Sequence, residues 1–210
     1  MPDRWLCNGS GARDALLASG MPADRLGVVE ALRYLYLEEQ TEPAPRASGT
    51  GRQLLLVTSF FADEVDAHLR TLAEAAQAGC LEGWQVRIKA HPYLPVQERL
   101  RNLFPNGGGP EIVERPVGEL LAPGVTVWAS NSTTVALEAA FRGLPLLVQA
   151  AENDLDLCPL QGLPGLTVVR GAADVGKALA DPKAPDLPPG YLCLDPGLPR
   201  WREVLELDKQ

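Results

Sequence analysis

A parallel β-sheet flanked by helices is the fold class this sequence predicts, and three observations carry the prediction. From residue 53 onward, short apolar runs alternate with longer stretches of helical spacing. The strongest runs, Leu54 to Thr58 and Leu144 to Val148, do not alternate polar with apolar residues, which is how strands buried on both faces read. Gly, Pro, Ser and Asn punctuate the joints between run and stretch, as successive strand-helix-strand units require.

The elements follow in chain order. Trp5-Leu6-Cys7 is a short apolar piece ending at the turn Asn8-Gly9-Ser10-Gly11, and Ala15, Leu16 and Leu17 begin a helical pattern that stops at Gly20. A second helix is predicted over Leu26 to Glu39, where Val28, Val29, Leu32, Leu35 and Tyr36 are spaced for one buried stripe. Residues 41–52 (TEPAPRASGTGR) are too rich in Pro, Gly, Ser and Thr for a regular element and read as a flexible linker.

Leu54 to Thr58 is then a strand and Asp63 to Ala78 a helix, with Val65, Leu69, Leu72, Ala73 and Ala76 on its buried side and Gly79 as its stop. Gln85 to Lys89 alternates and reads as a strand with one wetter face. A helix over Val96 to Leu103, a weak strand over Glu111 to Glu114 and a short helix over Val117 to Leu121 come next. Val125 to Trp128 and Leu144 to Val148 are strands separated by a helix over Thr133 to Arg142, whose Ser/Asn-rich approach suits an N-terminus. Leu166 to Val169 and Ala172 to Leu179 repeat the alternation, and after the Pro-rich stretch from Pro182 to Pro189 a last helix is predicted over Pro199 to Leu207.

Composition bounds the function. The chain has 210 residues, of which 46% are hydrophobic, enough for a real core. Nineteen basic against 27 acidic residues give a net charge of −8, which argues against nonspecific binding to nucleic acid or anionic lipid and leaves room for a local positive pocket. No apolar run approaches the roughly 18 residues of a membrane span, and the first residues lack a signal-peptide layout, so a cytoplasmic protein without an integral membrane segment is expected. Cys7, Cys80, Cys158 and Cys193 form no CxxC pair and imply reduced, buried thiols rather than a zinc site or a disulfide framework.

Three places can carry chemistry. Lys89-Ala90-His91-Pro92 ends the second predicted strand, where open α/β sheets bind ligands. Pro92 fixes the backbone there, so His91 can offer a hydrogen bond to an anion; a structural, hydrogen-bonded His is the alternative. Ser130-Asn131-Ser132-Thr133-Thr134 brings four hydroxyls and free backbone N–H groups to a helix N-terminus and can cradle a phosphate, or can simply cap the helix. Glu138 is the one charged residue within Val135 to Phe141, one turn beyond Thr134, where it can meet a ribose or be a solvated residue beside Arg142.

The remaining signals point away from chemistry. The second histidine, His68, is expected on a helix surface. Gly107-Gly108-Gly109 matches no phosphate-binding pattern, and Glu152-Asn153-Asp154, after the fifth predicted strand, reads as a surface loop, with the border of a ligand cleft as the alternative. Ser132 stands where a hydrolase nucleophile would, but the flanking glycines of GxSxG are missing. The Ser59-Phe60-Phe61 loop lacks the glycine fingerprint of a dinucleotide site.

Taken together, Glu30-Ala31-Leu32-Arg33-Tyr34, Lys89-Ala90-His91-Pro92 and Asn131-Ser132-Thr133-Thr134-Val135-Ala136-Leu137-Glu138-Ala139 resemble the donor-binding, C-terminal lobe of GT-B glycosyltransferases. The likeness is to bacterial surface-carbohydrate enzymes of the CMP-sugar-using sialyltransferase and Kdo-transferase types. It implies a Rossmann-like lobe in which His91, Pro92 and the Ser130–Thr134 turn hold the nucleotide, with Ser132 and Thr133 on its phosphate and Glu138 on its ribose. His91 is then also the catalytic candidate, stabilising the departing phosphate as charge develops on it. The resemblance further implies no bound metal or cofactor, a nucleotide sugar as donor substrate, and a glycan or lipid-linked acceptor in lipopolysaccharide or capsule assembly.

The domain organisation expected from this likeness is a hinge and helical segment left from a first lobe at 1–40, the linker at 41–52, the nucleotide-sugar-binding domain at 53–190 and a crossover helix at 191–210. One lobe of the usual two is present, so the base is expected from outside this chain, and the Trp201 helix is expected to lack a partner within it and to offer a surface to another chain or a second copy. Two other readings stay open: a noncatalytic nucleotide-binding or interaction subunit, and a relative of UDP-sugar epimerases.

Overall fold

The computed structural model describes residues 2–40, 52–151 and 155–206. The chain forms two units, one built from residues 1–42 and 187–210, the other from residues 43–186.

In the first unit, strand β1 (Trp5–Cys7) leads through Gly9 into helix α1 (Ser10–Ala18), and strand β2 (Leu26–Val28) pairs with β1 in parallel. A Cβ on Gly9 would stand 2.1 Å from Tyr191 O, so only glycine lets the C-terminal segment run this close. The helix expected over Leu26 to Glu39 is not one element. Leu26–Val28 joins β1, and a 3₁₀ segment over Leu32–Gln40 follows, because parallel pairing with an apolar strand outbids the helical spacing of Val28 and Val29. The expected linker falls almost wholly on residues 41–51, outside the described residues; Arg52 already belongs to a strand.

The second unit is the predicted α/β sandwich. Strand β3 (Arg52–Val57) is followed by helix α2 (Ala62–Gln77), β4 (Trp84–Lys89), α3 (Gln97–Leu103), the two-residue β5 (Glu111–Ile112) and the single turn α4 (Val117–Leu120). Then come β6 (Val125–Ala129), α5 (Val135–Phe141), β7 (Leu146–Gln149), β8 (Thr167–Val169) and α6 (Ala172–Ala180). All six strands run parallel in the order β5-β4-β3-β6-β7-β8. Strand order therefore reverses between β3 and β6, and the crevice at their carboxyl ends is the place where this fold binds ligands.

Burial explains why the apolar runs were legible. Leu54, Leu55 and Leu56 on β3 are fully buried because helices cover both faces of the sheet, and Leu69 and Leu72 of α2 pack with Leu54, Leu56 and Trp128 of β6 on one of those faces. Gly79 closes α2 with φ +74°, a left-handed stop that a side chain would strain. The last helix, α7 (Pro199–Val204), returns to the first unit. It does have a partner there: the Trp201 indole Nε1–H donates to Glu30 O at 2.8 Å, and the Arg200 and Trp201 backbone N–H groups donate to the two oxygens of the Glu30 carboxylate.

Candidate functional site

The carboxyl ends of β3, β4 and β6 are wired together by side chains. Ser130, the first residue after β6, gives its backbone N–H to Val57 O at the end of β3 and accepts the Ser59 N–H on its hydroxyl at 3.2 Å. Thr58 receives the His91 N–H on Oγ1 at 3.2 Å, which joins the β4 exit to the β3 exit.

His91 is held as the sequence suggests. Leu94 N–H donates to His91 O, closing a turn in which Pro92 takes the second position that its fixed φ suits. Tyr93 N–H donates to His91 Nδ1 at 3.3 Å, which leaves Nε2 as the donor of the ring. The ring is half-buried between Phe60, at 5.6 Å between centroids, and Tyr93, at 5.4 Å.

The Ser130–Thr134 turn divides into two groups. Ser130 and Asn131 are buried, and Asn131 Nδ2 donates to Leu155 O; both side chains brace the crevice from inside. Ser132, Thr133 and Thr134 are half-buried and reach its surface. Ser132 Oγ donates to Glu64 Oε2 at 2.8 Å, so a phosphate here competes with a carboxylate for that proton. Thr133 Oγ1 accepts the Val135 N–H, an ordinary start to a helix. Helix α5 has only seven residues and a correspondingly small dipole. Glu138 lies in the first turn of α5 and is 9% exposed, so it is not a solvated side chain beside Arg142.

The expectation for His68 is overturned. It is 0% exposed, and burial pushes its imidazole down to about 3. Its Nδ1 faces Ser130 Oγ at 2.9 Å. The signal was present: His68 lies three residues after Val65 and four before Leu72, on the buried stripe of α2. Gln149, the last residue of β7, carries no local sequence signal; it is 3% exposed and gives Nε2–H to Thr71 Oγ1 at 3.4 Å.

Beside the turn lies a cavity of about 380 Å³ between the first turns of α2 and the ends of β6 and β7. Asp63, Glu64, Asp66, Arg70, Asn131 and Gln149 contribute to its walls. Among the described residues no group of three or more His, Cys, Asp or Glu side chains is placed to hold a metal ion, and no helix is long and apolar enough to cross a membrane.

No family model matches the chain, and no curated protein matches it in sequence. Solved structures do match in fold. S. aureus MnaA, solved with UDP, superposes with a TM-score of 0.66 at 13% identity, over 99% of this chain and 61% of that one. Methanocaldococcus jannaschii UDP-GlcNAc 2-epimerase, solved with UDP-GlcNAc and UDP, gives 0.65 at 16% identity, over 99% and 61%. The GtfA/B complex gives 0.51 at 15% identity, over 85% and 38%. The chain thus spans about three fifths of the length of the first two. At these identities the likeness establishes architecture: a Rossmann-like α/β fold with a parallel six-stranded sheet.

Proposed function

We propose that this chain is the nucleotide-sugar-binding lobe of an enzyme that acts on an activated sugar, with a uridine nucleotide as the favoured donor. One observation carries the reading. His91 Nε2–H, the hydroxyl-bearing turn Ser132–Thr134 and buried Glu138 all belong to the loops and first helical turn that follow β4 and β6, around the point where strand order reverses. His91 and the turn suit phosphate, with Thr133, Thr134 and the N–H groups ahead of Ser132, and Glu138 suits a ribose diol one turn along. Pro92 sets the His91 turn; Ser130 and Asn131 hold the loop in shape.

The uridine preference rests on the matched folds, two of which were solved with UDP, and takes the place of the CMP-sugar donor expected from the sialyltransferase and Kdo-transferase likeness. In the reaction, His91 donates to the phosphate oxygen that gains charge as the sugar departs, an electrostatic contribution from a preset donor. Transfer to a glycan or lipid-linked hydroxyl, with its base outside this chain, is the first reading. Epimerisation of a UDP-sugar is the second, favoured by the match to a UDP-GlcNAc 2-epimerase over 99% of the chain.

Calorimetric titration with UMP, UDP, CMP and CDP, with and without magnesium, tests the proposal. UDP binding at least tenfold tighter than CDP supports it; CMP as the strongest ligand restores the cytidine reading; no binding to any of the four removes the nucleotide site.

A further inference from the structure

Four aromatic rings are in successive contact at the exits of β3 and β4. Phe61 and Phe60 follow β3 with ring centroids 4.1 Å apart, Phe60 stands 5.6 Å from the His91 imidazole, and that imidazole stands 5.4 Å from Tyr93. The carbon rings are open to solvent: Phe60 is 54%, Phe61 42% and Tyr93 88% exposed. Only four phenylalanines occur in the chain, and two of them stand here outside the core.

The row is held on a fixed frame. Leu94 N–H closes the turn on His91 O, and Tyr93 N–H is bonded to His91 Nδ1. On the other loop, Phe61 N–H donates to Ser59 Oγ while Ser59 N–H donates to Ser130 Oγ, which anchors the β3 exit to the β6 exit. Exposed rings on a fixed backbone offer contact area at a low cost in conformational freedom.

Strand order says what arrives there. β3 lies between β4 and β6. A nucleotide with its ribose at Glu138 and its phosphates between the Ser132–Thr134 turn and His91 runs from the β6 exit across β3 toward β4. The group carried by its terminal phosphate then meets Phe60, His91 and Tyr93. A pyranose suits that surface, because its C–H face lies on aromatic carbon while its rim of hydroxyls stays wet. The Tyr93 phenol adds a donor and an acceptor for one rim hydroxyl. A nucleobase also stacks on such rings, but a ribose at Glu138 keeps the base at the β6 end.

We propose that Phe60 and Tyr93 form the sugar subsite of this lobe, stacking on the pyranose of the nucleotide sugar on either side of His91. The inference rests on the nucleotide reading and adds to it the residues that recognise the sugar apart from the nucleotide.

The test is calorimetric titration of the full chain with UDP and with UDP-glucose, in the wild type, Phe60→Ala and Tyr93→Ala. Each alanine variant should lose at least fivefold in affinity for UDP-glucose while its affinity for UDP stays within twofold. Tyr93→Phe, which keeps the ring, should bind UDP-glucose within threefold of the wild type. Both side chains are more than half exposed, so neither alanine removes core, and an unchanged thermal midpoint checks the fold. Equal losses for UDP and UDP-glucose would put the rings under the nucleobase, and unchanged affinity for both would leave the row to a different partner. Either result, or a wild type that binds UDP but not UDP-glucose, overturns the proposal while the nucleotide reading stands. A wild type that binds no UDP removes that reading and this one with it.

Discussion

His68 Nδ1 and Ser130 Oγ lie 2.9 Å apart, and this bond ties the buried middle of α2 to the carboxyl end of β6. Ser130 Oγ also accepts the Ser59 N–H, and the imidazole beside it is kept neutral by burial. The edge of that ring meets Trp128 at 4.8 Å between centroids. One serine thereby holds the exits of β3 and β6 together through a histidine that never faces solvent.

Neutral burial makes stability depend on pH. Folding lowers the imidazole from its ordinary 6.5 to about 3, with desolvation as the cause. Between those values the unfolded chain takes up a proton that the folded chain refuses, so stability rises with pH and the contribution is complete above 6.5. Acidification from pH 7 to 5 should cost about 2 kcal/mol from this group alone. Urea unfolding at pH 7 and pH 5 should show that loss in the wild type and a smaller one in His68→Asn; equal losses would contradict the assignment.

Ser130→Ala should destabilise the fold by about 1–3 kcal/mol, since it leaves Ser59 N–H and His68 Nδ1 buried without their partner. Ser132→Ala breaks only a half-buried contact to Glu64 and should cost under about 1 kcal/mol. Urea midpoints for the two variants, measured side by side, check the ranking.

The sheet was legible because burial on both faces leaves an unbroken apolar signature at β3, β6 and β7 that sequence alone can register. His91 and the Ser130–Thr134 turn were legible for a related reason: they follow those strands directly. Three things were not. The β2 strand is three residues long and gains its identity from pairing with β1, a contact between segments about twenty residues apart that spacing cannot express. The burial of His68 is written only in its position on the apolar stripe of α2, against the polarity of its side chain. The hydrogen bond from Gln149 to Thr71 depends on α2 meeting the end of β7, which no local pattern encodes.

At the proposed nucleotide site, His91→Ala should weaken UDP binding by roughly tenfold, the worth of one hydrogen bond to a charged group. The turn closed by Leu94 N–H and His91 O is made by backbone, so the thermal midpoint should hold. Glu138→Gln should shrink the preference for UDP over 2′,3′-dideoxy-UDP. Calorimetry on both variants tests the roles separately, and an unchanged preference in the second would take Glu138 out of ribose binding.

In the first unit, Glu30 is a buried carboxylate that does the work of a helix cap from 170 residues away in sequence. Glu30→Ala should cost about 1–2 kcal/mol by freeing the first N–H groups of α7. Faster hydrogen exchange at Arg200 and Trp201, with exchange along β3 unchanged, is the expected signature.

The thiols give a last check on where the core lies. The thiolate is the nucleophile, so reactivity needs both access and deprotonation. Cys7 and Cys158 are buried, and burial pushes both thiols above the ordinary value of 9.0. Cys193 is half-buried and is also raised by burial, while Arg200 beside it pulls the other way. Alkylation by iodoacetamide at pH 7 followed by peptide mapping should therefore leave Cys7 and Cys158 unmodified in the folded chain and label all four once urea unfolds it. Cys193 should react at an intermediate rate that falls further in Arg200→Gln, because removing the guanidinium removes the charge that favours its thiolate. Rapid native labelling of Cys158 would mean that the segment after Leu155 does not bury it as described.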